Sequence, residues 1–166
     1  MAKITLKDAG MEFGRRMPKR IKAAALRGLL SAAHRGVAIV VAELIPAAVP
    51  QPVDRGVYKV GWHAFPMPDG AVIQNLEPHA GMIEEGVRAA NVKIGRAMIA
   101  ALAEWARRHG FEKPERAAWA IAIEMKERGI FGGGLHILAQ LEDRLRGGVV
   151  REEIEREMNA EFRRRG

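Results

Sequence analysis

Side chains that could carry out covalent chemistry are few in this 166-residue chain. There is no cysteine, which excludes thiol catalysis, disulfides and thiolate metal sites. The single serine, Ser31, and the single threonine, Thr5, both fall in predicted regular elements with no base near them in sequence. A hydroxyl nucleophile needs a base and a group that orients the base. We therefore expect a protein without catalytic residues.

Groups that could bind a metal or transfer protons are also scattered. No two histidines have the i, i+4 spacing with an intervening glutamate of a helical zinc site, the five being His34, His63, His79, His109 and His136. Glu84 and Glu85 are adjacent, so on a helix they point in different directions and make a poor acid–base pair. We expect neither a metal nor a cofactor; a site assembled in space from Glu77, His79 and Glu84 is the enzymatic alternative.

The net charge of +7 is unevenly distributed. Every charged side chain between Phe13 and Ala42 is basic. These residues are Arg15, Arg16, Lys19, Arg20, Lys22, Arg27 and Arg35. Such a stretch is either a solvated helix face or a surface that meets phosphates or an acidic protein. Aromatic residues are only 5% of the chain and do not alternate with basic ones, so any DNA contact would be electrostatic and independent of sequence.

A long amphipathic helix is predicted to carry most of these basic residues. It begins at Pro18, which suits a first helical turn, and ends near Leu44 because Pro46 disfavours helix in the residue before it. Apolar residues recur along it at helical spacing, namely Leu26, Leu29, Leu30, Ala33, Val37, Val40, Val41 and Leu44. At ~1.5 Å per residue the helix is about 40 Å long, which indicates a partner in another subunit. No apolar run reaches the ~18 residues that span a bilayer, and residues 1–20 are too charged for a signal peptide, so we expect no membrane contact.

A β-hairpin is predicted between this helix and the rest of the chain. Val57–Phe65 and Ala71–Leu76 are rich in β-branched and aromatic residues, and Pro66–Gly70 between them is a turn signal. Residues 4–6 predict a further short strand. An isolated hairpin is marginal in water, so this one has to dock on helices.

The remaining residues predict helices. One or two turns follow Pro78 and stop at Gly86, and longer helices run from about 90 to 109 and from Pro114 to Gly129. Gly132–Gly134 lacks the Lys-Ser/Thr of a phosphate loop and predicts a flexible joint before two further helices. The predicted fold class is α+β, with a long N-terminal helix, a small antiparallel β-sheet built around a hairpin and several C-terminal helices. We divide the chain into a domain at 1–130 and a helical extension at 131–166.

Three short motifs occur in order within residues 15–130. They are Pro52-Val53-Asp54-Arg55-Gly56-Val57-Tyr58, the stretch Asn75–Gly86 and the stretch Ala118–Ile130. They resemble, in turn, the P-V-D-T-G-x-L, N-x-x-P-Y-A-x-x-x-E-x-G and A-x-A-I-A-x-x-I-x-x-x-G-I patterns of the tail-completion (neck, head–tail joining) proteins of tailed bacteriophages. The positions singled out are Pro52, Asp54, Gly56, Tyr58, Asn75, Pro78, His79, Glu84, Gly86 and Gly129, with His79 at the family's usual tyrosine. After residue 130 the chain departs from the family's usual proline- and phenylalanine-containing segment.

The resemblance implies a structural virion protein that forms a ring, a hexamer or dodecamer, around the DNA channel between capsid and tail, with no catalytic site. Its implied partners are further copies of itself, an adjacent connector or adaptor ring, the tail terminator or tail tube proteins, and genomic DNA bound non-specifically in the channel. The implied location is the neck or tail of the virion, and the host cytoplasm during assembly. The alternative is a free cytoplasmic protein that binds nucleic acid non-specifically through residues 15–35.

Overall fold

The computed structural model describes residues 1–5, 18–48 and 56–164. Its contacts group the chain into two compact units, Met1–Glu77 with Ile137–Gly166, and Pro78–His136. Long helix, small antiparallel sheet and C-terminal helices are all present, so the predicted α+β class is confirmed. This grouping differs from the predicted domain boundary at residue 130, because residues 137–164 pack with the long helix in the first unit.

A three-stranded antiparallel sheet lies in the first unit. The strands are β1 (Ala2–Thr5), β2 (Trp62–Met67) and β3 (Gly70–Asn75), in the order β1-β3-β2. Residues 70–73 of the central strand are all buried, and Ile73 pairs with Ala2 on one side and Ala64 on the other. The hairpin and the additional N-terminal strand are thus confirmed, and both β1 and β2 are edge strands.

The predicted hairpin boundaries are wrong at its start. Val57–Val60 forms a short helix, α3, and the first strand begins only at Trp62. The β-branched residues of α3 favour a strand, but the helical turn buries Tyr58 edge-on against Trp62, with ring centroids 5.8 Å apart. The turn is also shorter than predicted, because Pro66 and Met67 continue β2 and only residues 68 and 69 connect the strands.

The long helix is continuous over Lys19–Ala47. It comprises α1 (Lys19–Ile39), a π-helical segment (Val40–Leu44) and α2 (Ile45–Ala47). Pro46 was predicted to end the helix, yet the helix passes through it. In the π segment the Ile45 N–H donates to Val40 C=O, five residues back, and this wider turn eases the clash that a proline ring makes with the preceding helical turn.

By length and composition, Lys19–Ala47 is also apolar enough to cross a membrane. Core helices pass the same test, and α1 packs against both the sheet and a C-terminal helix of its own unit. The expected absence of a membrane-spanning segment therefore stays a prediction.

The C-terminal helices complete the first unit. They are α7 (Ile137–Arg144), a π-helical turn (Leu145–Val149) and α8 (Val150–Arg163). The side of α1 that packs on them and on the sheet is built mainly of small residues, namely Ala24, Ala25, Gly28, Leu29, Ala32, Ala33 and Gly36. A Cβ added at Gly28 would lie 2.6 Å from Ile154 Cα. The two helices therefore approach closely enough for backbone to meet backbone.

The second unit is built around a helical hairpin. Its elements are α4 (Ala80–Glu85), a 3₁₀ turn (Ala89–Asn91), α5 (Arg96–Arg108), α6 (Pro114–Arg128) and a second 3₁₀ turn (Phe131–Gly133). The start of α6 at Pro114 is confirmed. The helix predicted from about residue 90 begins only at Arg96, because the 3₁₀ turn and four residues of extended and irregular backbone precede it.

The glycine segment that was predicted as a flexible joint is held instead by backbone hydrogen bonds on both sides. On one side of it Ile130 exchanges two backbone hydrogen bonds with Val87, at 2.8 and 2.9 Å. On the other side the Leu135 N–H donates to Ile83 C=O at 2.9 Å. Gly132–Gly134 therefore sits between two anchored points in the second unit.

Candidate interaction surfaces

The basic residues of the long helix do not form one exposed face. Lys19, Arg20 and Lys22 are exposed in the first turns, and within the part of the chain that the structure describes they make no ion pair. Arg27 and Arg35 instead contact glutamates of α8. Arg15 and Arg16 lie outside the described residues. The basic face predicted from the sequence is thus divided, with part of it used inside the fold.

The two arginines are held by short ion pairs. Arg27 Nη2 lies 3.0 Å from Glu161 Oε2, and its Nε lies 3.3 Å from Glu157 Oε2. Arg35 Nη1 lies 2.8 Å from Glu152 Oε2. The hydrogen bond to Glu152 raises the pKa of Arg35 above its ordinary value, with partial desolvation acting in the opposite direction. Both arginines are about half exposed, so each pair contributes modestly to stability.

Between these pairs, Ser31 and Glu153 form a less exposed polar contact. Glu153 is only 5% exposed, and Ser31 Oγ donates to its Oε2 at 2.8 Å. Arg156 Nη2 donates to Ser31 Oγ at 2.8 Å and pairs with the Glu153 carboxylate. Such a cluster fixes how one helix sits on the other, because misalignment would leave a buried charge without partners. The hydroxyl of Ser31 therefore has a structural role.

Sequence reasoning missed this contact, although a signal for it exists. Arg27, Ser31 and Arg35 recur every fourth residue on α1, and Glu153, Glu157 and Glu161 do the same on α8. Residues four apart share one face of a helix, so α1 carries a row of two arginines with a serine between them, and α8 carries a row of three glutamates of equal length. Matching these two rows would have placed α8 on α1.

Among the motif residues in the first unit, Asn75 makes two side-chain hydrogen bonds. Its Nδ2 donates to Tyr58 C=O at 2.7 Å, and its Oδ1 accepts from the Glu77 N–H at 2.9 Å. One side chain therefore ties α3, the end of β3 and the following chain together. Gly56 precedes α3 with φ of 76°. Pro52 and Asp54 lie outside the described residues.

In the second unit the motif residues also fix the conformation of the backbone. Gly86 and Gly129 have φ of 69° and 84°, a region that side chains rarely adopt. A Cβ at Gly86 would lie 2.6 Å from Gly134 N, and one at Gly129 would meet Val87 O. Pro78 precedes α4, His79 is its N-cap residue, and the Glu84 C=O accepts from the His136 N–H at 3.2 Å. These positions hold the turns at both ends of α4 and after α6.

An exposed apolar surface lies on the α5–α6 hairpin. The fully buried residues of the two helices are all alanines, at positions 103, 106, 118 and 122. Trp119 and Ile123, one turn apart on α6, are 53% and 49% exposed. Beside Trp119 a groove has an apolar floor of Ile99, Ala100 and Ala103 of α5, and it is also lined by the charged residues Arg96, Glu104, Arg107 and Glu115. We call Trp119, Ile123 and this floor the Trp119 surface; exposed apolar patches with a tryptophan are typical of protein contacts.

The described residues contain no group of three His, Asp or Glu side chains that could hold a metal ion. Of the residues of the enzymatic alternative, Glu77 lies in irregular backbone after β3, His79 is the N-cap residue of α4, and Glu84 lies within α4. His109 stacks on Trp105 with ring centroids 4.2 Å apart.

Comparison of the chain with protein-family models, with curated proteins and with solved structures finds no match in any of the three.

Proposed function

We propose that this chain is a structural subunit of a ring at the bacteriophage head–tail interface. The observation that carries the proposal is the use of the motif residues. Asn75, Gly86 and Gly129 hold turns and close backbone contacts, as the framework of a scaffold requires. The resemblance of the three motifs to neck and tail-completion proteins supplies the assembly.

Two kinds of surface support a contact with neighbouring subunits. The Trp119 surface offers a large, half-exposed aromatic beside an aliphatic floor, which is the composition of an interface hot spot. Among the described residues β1 and β2 are the outer strands of the sheet, and outer strands are positions where a further chain can pair. Contacts between unlike surfaces of identical subunits close into a ring when the rotation between subunits divides a full turn.

The alternative function, a free nucleic-acid-binding protein, is supported by fewer basic residues than the sequence indicates. Of the five described residues of the basic face, Arg27 and Arg35 are paired with glutamates, whereas Lys19, Arg20 and Lys22 make no ion pair with another described residue. In a ring the same three residues would face DNA in the channel or an acidic partner.

The interface role is tested with Trp119→Glu. We expect little change in the free energy of unfolding, because the side chain is half exposed, and a loss of at least about 2 kcal/mol in assembly, or roughly 30-fold in the association constant, as for a hot-spot tryptophan. Analytical ultracentrifugation measures the assembly, and Ala120→Glu, at an exposed neighbouring position, is the matched control. Equal assembly by both variants would refute the role of the Trp119 surface.

DNA retention separates the two functions. Replacing the exposed Lys19, Arg20 and Lys22 by glutamine removes three cations and should abolish retention of duplex DNA by a free DNA-binding protein, with a reduced salt dependence. For a ring subunit we expect the triple variant to keep its assembly state. Loss of DNA retention in a chain that sediments as single copies with and without the three substitutions would favour the alternative.

A further inference from the structure

Helix α6 carries an exposed row of four residues on the side that faces away from α5. They are Arg116, Trp119, Ile123 and Glu127, and all four are exposed. At ~100° per residue their side chains fall within about 80° of one another around the helix, so they form one stripe. We call these four residues the outward row.

The second unit buries few large apolar side chains of its own. In Pro78–His136 the apolar side chains without exposed surface are all alanines, at positions 106, 118 and 122. The largest fully buried side chains of the described residues, among them Leu29 and Tyr58, belong to the first unit. A small unit with such a core gains little from folding alone, so burial of Trp119 and Ile123 by association would add to its stability.

The two ends of the outward row carry opposite charges. Arg116 precedes the apolar pair and Glu127 follows it. Neither makes an ion pair with another described residue, whereas Glu124, beside the row, pairs with Arg128 within α6. The row is therefore a cation, two large apolar side chains and an anion, in that order along the helix.

This order is self-complementary when two copies of α6 run antiparallel. A two-fold axis at residue 121 places Trp119 of each copy opposite Ile123 of the other. Arg116 is five residues before this point and Glu127 is six after it, so at ~1.5 Å per residue the two charges lie within about 1.5 Å of the same level. In a parallel pair Arg116 would face a second Arg116, and like charges repel. The charges therefore favour the antiparallel arrangement.

We propose that two copies of this chain associate through antiparallel contact of their α6 helices, with Trp119 and Ile123 packed at the centre and an Arg116–Glu127 ion pair at each end. A two-fold contact of this kind uses the same patch on both copies. It involves about three turns of one helix, which is smaller than a standard interface, so we expect a weak, concentration-dependent dimer.

The occupant is a second copy because the outward row itself supplies both of the charges that the row needs. An acidic partner would be attracted by Arg116 and repelled by Glu127, and a basic partner would meet the reverse. The contact does not depend on the proposed ring. Since a two-fold contact joins only two copies, in a ring subunit it would join two rings face to face, as twelve copies made from two hexamers.

The test exchanges the charges at the two ends of the row. Sedimentation velocity of the full chain over a concentration series should show a dimer. Arg116→Glu and Glu127→Arg should each weaken the dimer by about tenfold, because two-fold symmetry turns two attractive pairs into two repulsive ones. The double variant Arg116→Glu/Glu127→Arg has opposite charges at both ends again and should associate as the unsubstituted chain does.

A mixture of the two single variants gives a second readout. One variant has two acids on its row and the other has two bases, so each repels itself and attracts the other. We expect the mixture to associate about as strongly as the unsubstituted chain. Arg128→Glu is the control, because it makes the same change of charge on α6 at about 120° from Arg116, and it should leave the dimer unchanged.

Three results would each overturn the proposal. The first is an unsubstituted chain that stays a single copy at every concentration. The second is equal association of the single variants and the unsubstituted chain. The third is a double variant that stays as weak as the single variants, because the row would then bind a different surface and not a second row.

Outcomes for the α6 contact and for the proposed function are distinguishable. Dimers that follow the charge exchange, in a chain that never enters a ring, keep the α6 contact and contradict the ring. Rings with the same number of copies in every variant contradict only the α6 contact. Rings that halve in Arg116→Glu and regain their size in the double variant support both.

Discussion

The close approach of α1 and α8 at Gly28 yields the sharpest prediction of stability. Gly28→Ala places a Cβ 2.6 Å from Ile154 Cα, 3.0 Å from its N and 3.1 Å from Glu153 O. Ordinary contacts begin near 3.4 Å, so the helices must separate by about 1 Å. Overpacking costs about 1–3 kcal/mol, and the upper end applies because both sides of the contact are backbone. Alanine gains about 1 kcal/mol of helix propensity over glycine, so we expect a net loss of about 2 kcal/mol.

Urea unfolding followed by circular dichroism measures this loss, and thermal unfolding should show a decrease of about 4–8 °C for a chain of this length. Gly147→Ala is the matched control, because a Cβ there meets nothing within 4 Å in the same unit. We expect the control to be neutral or slightly stabilised. If Gly28→Ala unfolds at the same or a higher urea concentration than the unsubstituted chain, the inferred contact between the two helices is wrong.

Two further substitutions test the polar contacts of the first unit. Asn75→Ala should lower the free energy of unfolding by about 1–3 kcal/mol because it leaves the Tyr58 C=O and the Glu77 N–H without their partner, whereas Gln74→Ala should have a smaller effect in the same urea titration. Glu153→Gln should lower the free energy of unfolding by about 1.5–3 kcal/mol, because a buried carboxylate that accepts from charged donors is lost. Glu152 is 64% exposed, so Glu152→Gln should lower it by no more than about 1 kcal/mol. Equal losses would contradict the difference in burial between the two glutamates.

The elements that the sequence predicts well are those with local signals. Pro114 starts α6 because the first turn of a helix does not need the backbone N–H that proline lacks. Gly129 ends α6 because glycine tolerates the positive φ that follows the last turn. The apolar run Ala71–Ile73 follows turn residues, and this local pattern predicts the central strand. In each case the deciding interaction lies within a few residues.

The misses arise where a distant part of the chain decides. Val57–Val60 has strand-forming residues but folds as a helical turn, since that conformation buries Tyr58 against Trp62. Arg27 belongs to an apparently free basic face until α8 is placed, and its partner Glu161 is 134 residues away. The exposure of Trp119 also depends on packing, because α5 and α6 meet through alanines that periodicity alone does not distinguish from other apolar residues.

The central claim of the proposed function, that copies of this chain encircle an axis, is tested most directly by electron cryomicroscopy of the purified chain, alone and mixed with head and tail particles of the bacteriophage that, under that proposal, encodes it. The account predicts closed rings with a central opening, either free or bound at the junction between head and tail. Single 18.3-kDa molecules in both samples, with no density at the junction, would contradict it.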